Sequence, residues 1–271
     1  MSHANAWSDP SMAGPEDAAR MAAFLEERSQ RPDQLQVNQA VIALLSPAAG
    51  ERLLEVGSGT GVLCRIAAPC VSIEGTIVGL DVSREFTAFA RERAISQGLT
   101  RLRHLVGQGE RLPFPARSFD GAWAARLLLH ASNPQAVVND IVRVVRPGGR
   151  VVLADWDFGT VAVDHQDREL TRRVLQWRSD HHGGDNWSGR KLLRRARQAG
   201  LTRIESSSVV YIAQDESSAL TLSLWRAAEV ARDGGGITAQ EHDAWITDLK
   251  QRIEQRRFFA SIVYFLVKGW V

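Results

Sequence analysis

A chain of 271 residues can hold one large α/β domain with an added cap. Its composition, 44% hydrophobic and 24% charged with a net charge of +2, is ordinary for a soluble globular protein. That balance offers no case for nucleic acid or an anionic membrane as a partner, and no apolar run reaches the length of a membrane span.

Residues 1–15 are rich in Ser, Ala and Asn. They lack the basic and apolar segments of a signal peptide and read as a flexible stretch or a lid over a ligand. Residues 16–28 carry Met21, Phe24 and Leu25 on one helical face; Arg31-Pro32-Asp33 breaks that helix, and Leu35, Val37, Val41, Ile42, Leu44 and Leu45 continue as a second. An N-terminal segment with lid helices is therefore expected over residues 1–45, and the main domain over 46–271.

Strands are predicted at 52–56, 76–80, 102–106, 119–125 and 150–154, alternating with helices at 60–68, 84–97 and 133–145. Asn133 is a natural N-cap with Pro134 at the first helical position. Arg146-Pro147-Gly148-Gly149 reads as a tight turn. This βαβ rhythm predicts a doubly wound, mostly parallel sheet with helices on both faces. Beyond it come helices at 165–180 and 188–199, the second capped by Ser188, and a strand at 203–212. A helical insert over about 213–257 follows, with Gly234-Gly235-Gly236 as a hinge and Thr238…Glu241 as a capping box. A last apolar strand, 258–267, closes the chain. Cys64 and Cys70 lack zinc-pair spacing and read as reduced core thiols, which suits a cytoplasmic protein.

The most informative stretch is Glu55-Val-Gly57-Ser58-Gly59-Thr-Gly61, where an apolar strand ends in alternating glycines and restarts as a helix. Glycines there let a ligand lie against bare backbone. The dinucleotide fingerprint G-x-G-x-x-G would place its third glycine one residue later, where Val62 stands. Glu55, two residues ahead of the loop, would repel a pyrophosphate and suits a cationic ligand. The pattern resembles that of class I S-adenosylmethionine-dependent methyltransferases. Residues 107–114, Gly-Gln-Gly-Glu-Arg-Leu-Pro-Phe, resemble the Gly-Asp-Ala-Glu-x-Leu-Pro-Phe segment of the ubiquinone/menaquinone-methyltransferase-like group, with Gln108 at the acid and Gly109 at the alanine.

The resemblance implies a Rossmann-like sheet of seven strands, ending in an antiparallel hairpin formed by 203–212 and 258–267. The insert between those strands would cover the carboxyl edge of the sheet. It implies S-adenosylmethionine as cofactor, bound by Glu55, Gly57, Ser58, Gly59, Gly61, Asp81, Val82, Gln108, Gly109, Glu110, Ala125 and Arg126. Asp81, ending the second strand, would accept the ribose hydroxyls, or would cap the helix at Arg84. A glutamine carbonyl at Gln108 can accept from the adenine amino group. Residues 124–130 would pass beside the methionine end of the cofactor, with His130 as a candidate general base or a structural histidine. Asp155 would face the acceptor and could pair with His130; alternatively Asp155 or Asp157 merely caps the next segment.

Asp180-His181-His182-Gly183-Gly184-Asp185-Asn186 has the residue types of a metal cluster, but reads as a helix C-terminus with a glycine cap, and no metal is expected. Trp156, Trp177, Trp187, Trp225 and Trp245 lie in the cap-forming part, where some could meet a flat or hydrophobic acceptor. The expected function is methyl transfer to a small molecule by in-line displacement, to oxygen first, then carbon, then nitrogen. A homodimer stays open. Two other readings remain: a methyltransferase fold that binds the cofactor structurally and performs a non-methylating step such as a cyclisation, and an NAD-dependent oxidoreductase, disfavoured by Val62 and the hairpin ending.

Overall fold

The computed structural model describes residues 14–181 and 183–271. The expected flexible or lid segment at the N-terminus falls, apart from its last two residues, outside the described part. Helices α1 (Pro15–Ser29) and α2 (Pro32–Leu45) each begin with proline in the first turn, where its missing N–H costs nothing. Acidic residues follow in both first turns and favour the positive end of the helix dipole.

Seven strands form one sheet: β1 (Arg52–Val56), β2 (Thr76–Asp81), β3 (Leu102–Val106), β4 (Phe119–Ala125), β5 (Val145–Val163), β6 (Thr202–Ala213) and β7 (Ala260–Trp270). Their spatial order is β3-β2-β1-β4-β5-β7-β6. The first five pair in parallel, and β7 runs antiparallel to both β5 and β6. The order reverses between β1 and β4, so the crevice beyond their carboxyl ends is where an open α/β sheet binds ligands.

Alternation along β1 separates the two layers. Leu53 packs in one core with α2, α3 (Val62–Ala67) and the later helices, while Leu54 and Val56 pack in the other, which includes Val138 and Ile141 of α5 (Pro134–Val144). Helix α4 (Arg84–Ser96) follows β2, and its Phe86 meets Met21 and Ala22 of α1. The half-buried pair Arg65–Glu26, at 2.7 Å, ties α1 to α3.

Several expected boundaries move for identifiable reasons. Helix α3 starts at Val62 rather than residue 60, because Gly61 is left-handed (φ 78°) and its N–H donates to Ser58 O. A short 3-10 turn, Ala68–Val71, extends it. Strand β5 is far longer than 150–154: pairing with β7 continues through Asp157↔Val263 and, past an irregularity, to Val163↔Ala260. The antiparallel partner strand supplies the ladder that local sequence could not announce.

Helices α6 (Arg168–His181) and α7 (Ser188–Gln198) follow β5, and α8 (Ala219–Asp233) and α9 (Ala239–Glu254) form the insert between β6 and β7. Ser188 does not cap α7. Its hydroxyl goes to Asp155, and the side chain of Asp157 accepts the Arg190 N–H in the first turn instead. The N-cap expected at Asn133 forms, accepting from Ala136 N–H, and in the capping box expected at Thr238 that residue and Glu241 exchange both reciprocal bonds. Gly234 and Gly236 act less as a hinge than as a seat for Trp177, whose ring lies where a Cβ would sit 2.5 Å away at Gly234. Among the described residues no helix is long and apolar enough to cross a membrane.

Candidate active site

After Val56 the chain turns through Gly57, Ser58 and Gly59. The Gly57 and Ser58 N–H groups both donate to Leu80 O, at 2.8 and 3.0 Å, which fastens the loop to the end of β2. Gly57 has φ +76°, and a Cβ there would lie 2.8 Å from Leu127 Cδ1. Gly59 has φ +51°, and the nearest atom to its missing Cβ is Leu25 Cδ1 at 3.9 Å. The loop thus turns its backbone toward open space, which is a cavity of about 690 Å³.

Every expected cofactor residue except Gly61 lines that cavity: Glu55, Gly57, Ser58, Gly59, Asp81, Val82, Gln108, Gly109, Glu110, Ala125 and Arg126. Gly61 serves packing instead. A Cβ at that position would lie 2.7 Å from His104 Cε1, so glycine lets α3 approach β3. Asp81 does not cap α4; Ser83 does, accepting from Phe86 N–H at 3.2 Å. The Asp81 carboxylate instead accepts from Gly59 N–H (2.7 Å) and Ser83 N–H (2.9 Å), each on a different oxygen. Each oxygen keeps a lone pair for a hydroxyl donor. Burial pushes its carboxyl up from the usual range.

Glu55 is 2% exposed and accepts a bond from Cys64 Sγ at 2.9 Å. Burial pushes it up to about 7, against the pull of that bond and of Arg126. A cation beside it would restore the charged form. This donor and acceptor set fits S-adenosylmethionine, which offers a ribose diol, an amino and sulfonium cation, a carboxylate and an adenine ring. Asp81, Glu55, Arg126 and the Gly107–Glu110 loop would meet those groups in turn.

The sequence reading expected α1 and α2 as lid helices but named none of their residues in the site. Leu25, Arg28, Ser29, Gln34 and Asn38 also line the cavity. A signal was present: Gln34 and Asn38 interrupt the apolar stripe of α2 and are buried, at 3% and 1% exposure. A polar group on a buried stripe needs a partner, and Asn38 Oδ1 receives Arg126 Nη1 at 3.0 Å.

A second cavity of about 380 Å³ adjoins the first, bounded by Trp156, Phe158, Tyr211, Leu220, Leu222 and Ile262 among others. The two share Arg28, Gln34, Arg126 and His130. His130 therefore stands at the junction. Its Nδ1 is enclosed without a partner, and burial together with the Arg28 charge pushes the imidazole down to about 4. It is a neutral ring near pH 7.

Asp155 does not join it. The carboxylate is fully buried, lines neither cavity, and accepts from Leu129 N–H (2.9 Å) and Ser188 Oγ (2.8 Å). The expected His130–Asp155 hydrogen bond is not formed, because β5 turns that side chain inward toward α7. Asp155 instead fixes the backbone one residue before His130. Burial pushes its carboxyl up to about 7 despite those bonds. Asp157, also fully buried, pairs with Arg190 at 2.5 Å.

In the 180–186 segment, His182 lies outside the described residues. Asp185 pairs with Lys191 and Arg195, at 2.7 and 2.6 Å. Among the described residues no three metal-type ligands come together. Of the five cap tryptophans, only Trp156 lines the second cavity. Trp245 is buried, stacks on His165 and donates to Thr171 Oγ1 at 3.0 Å, while Trp187 lies under Arg190.

The family model described as a methyltransferase domain matches residues 54–153, the span from β1 into β5. Over 157 residues the chain is 34% identical to the methyltransferase GfsG of Streptomyces halstedii, covering 56% of this chain and 50% of that one. Over 114 residues it is 32% identical to the ubiquinone/menaquinone biosynthesis C-methyltransferase UbiE of Coxiella burnetii, covering 42% and 46%. The match thus spans about half the length of these relatives. A solved S-adenosylmethionine-dependent methyltransferase from Aquifex aeolicus shares the fold, with TM-score 0.53 and 19% identity over 73% of this chain and 92% of that one. Residues 54–153 therefore carry a methyltransferase domain of the S-adenosylmethionine-dependent kind, with S-adenosylmethionine as its cofactor.

Proposed function

We propose that the protein transfers a methyl group to a small-molecule acceptor of natural-product type, at a hydroxyl oxygen, in the cavity under α8. The observation that carries this reading is the junction: a glycine-rich cavity and an apolar, aromatic one meet at Arg28, Gln34, Arg126 and His130. The cofactor supplies a methyl group already activated on a sulfonium. The chain's own residues have three tasks: holding the acceptor, excluding water and receiving a proton.

Trp156, Phe158 and Leu220 present apolar surface to the acceptor, and α1 shields the junction from solvent through its docking on α3 and α4. His130, neutral near pH 7, can accept the hydroxyl hydrogen bond and take the proton as oxygen becomes bonded to carbon. A base held near 4 is weak in the free protein. Its strength would rise once a bound anion offset the Arg28 charge. The division of labour makes Asp155 a positioning residue. Helices α1 and α2 act as the lid on the cofactor cavity.

Incubation with S-adenosylmethionine and a panel of phenolic, alcoholic and activated-carbon acceptors tests the reading. S-adenosylhomocysteine and a product 14 mass units heavier are expected, with hydroxyl acceptors leading. Product on carbon alone would transfer the role to carbon. Cofactor binding with no turnover across the panel would favour the non-methylating alternative.

A further inference from the structure

The second cavity carries more positive charge than its neighbours neutralise. Four guanidinium groups line it, Arg28, Arg126, Arg178 and Arg226, and among the described residues no aspartate or glutamate does. Only Arg226 has a carboxylate partner among the described residues, Glu229 at 3.0 Å. Arg126 donates to the neutral Asn38 side chain. Arg28 lies over the Phe24 ring, 6.0 Å from its centroid, and Asp33 acts on it through charge with no ion pair between them.

Arg178 is the decisive one. It rises from α6, its guanidinium lies 4.0 Å over the Phe158 ring, and its Nε donates weakly to Ser223 Oγ at 3.3 Å. Its Nη1 is enclosed and has no partner. Burial pushes both Arg178 and Arg28 down to about 10. A guanidinium held over an aromatic ring, with one weak bond to a hydroxyl and no carboxylate partner, has donors to offer an oxyanion.

The cofactor's own carboxylate cannot account for the excess. It is a single group, and Arg28 and Arg126, at the junction, both reach the cofactor cavity. Arg178 lines only the acceptor cavity. From this asymmetry we propose that the acceptor carries an acidic group, a carboxylate or a phosphate, on an apolar or aromatic body, and that Arg178 binds that group. The body would rest on Trp156, Phe158 and Leu220 while the acid sits in the Arg178 fork. The inference rests on the methyl-transfer reading of this cavity, since it names what occupies it.

The test uses the full chain saturated with S-adenosylhomocysteine and follows binding by calorimetry. The probes are 4-hydroxycinnamate and 6-hydroxy-2-naphthoate, their methyl esters, and naphthyl phosphate. Acids are expected to bind at least tenfold more tightly than the matching esters. Comparison of carboxylate with phosphate shows which oxyanion the fork prefers. Arg178→Gln should erase the acid preference, Arg178→Lys should recover only part of it, and both should bind S-adenosylhomocysteine like the wild type, which also reports folding. Equal binding of acids and esters, or an acid preference that survives Arg178→Gln, overturns the proposal. So does the absence of acid binding while S-adenosylhomocysteine remains bound. Failure to bind S-adenosylhomocysteine at all would instead strike the underlying methyltransferase reading.

Discussion

The two cavities are built by different means. The cofactor cavity is made largely of backbone and short side chains at the ends of β1, β2 and β4, with each loop pinned to the next strand by main-chain bonds such as Gly57 N–H to Leu80 O. The second cavity, proposed for the acceptor, is made largely of long side chains from α1, α6, α8, β5, β6 and β7, elements separated by more than two hundred residues. The first depends on bare backbone at Gly57 and on the acids at two strand ends. The second depends on which side chains face the space. A shared cofactor with divergent acceptors is what this contrast would produce.

Removing bare backbone should do the most damage. Gly57→Val places a branched side chain at positive φ and against Leu127. We expect S-adenosylhomocysteine affinity, measured by calorimetry, to fall more than about 100-fold, with a loss of about 2–4 kcal/mol in denaturant unfolding. Retained affinity would show that the ligand does not lie on this loop.

The junction offers the next sharpest test. His130→Ala should lower kcat about 100-fold with the thermal midpoint nearly unchanged, because its Nδ1 makes no bond to lose. Asp155→Ala leaves Leu129 N–H and Ser188 without their acceptor in a buried site. That should cost about 2–4 kcal/mol of stability, seen by calorimetry as a fall of roughly 5–10 °C. If Asp155→Ala instead lost only activity at full stability, the carboxylate would be chemical and not structural.

Glu55 gives the smallest effect and a defined sign. Its folded pKa, about 7, lies above the ordinary glutamate value of 4.5. In the cofactor-free protein the group therefore favours the fold fully below the unfolded value, and that advantage is lost as pH rises through about 7. Glu55→Gln should raise the cofactor-free thermal midpoint at pH 8 by a few degrees, the gain being at most about 3 kcal/mol, and should change it little at pH 4. The same variant should weaken S-adenosylhomocysteine about tenfold. A variant destabilised at pH 8 would mean that Glu55 is already charged and satisfied without a ligand.

The cofactor half of this contrast was open to sequence reasoning because its determinants are local. Positive φ at Gly57 and Gly59, an acid at a strand end and a Pro-containing loop each have a signature within a few residues. Gly61 belonged to the same motif yet faces His104, since contiguity does not say which glycine meets ligand and which meets protein. The strand hairpin was also readable, though not the length of β5, which depends on β7 pairing with it a hundred residues later.

The acceptor half was not open in that way. Asp155 and His130 were sensible partners by residue type, but a strand side chain turned inward one way rather than the other separates them, and only packing against α7 settles that choice. Arg28 and Arg178 sit in helices whose other arginines are solvent ion pairs or free surface groups, so nothing nearby in the chain marks them. Short-range sterics and hydrogen-bond rules act between neighbours in sequence, and they were sufficient for the fold class and the cofactor. The sign of charge facing the acceptor depends on which distant side chains share a cavity without a counterion, and that is a property of the folded chain alone.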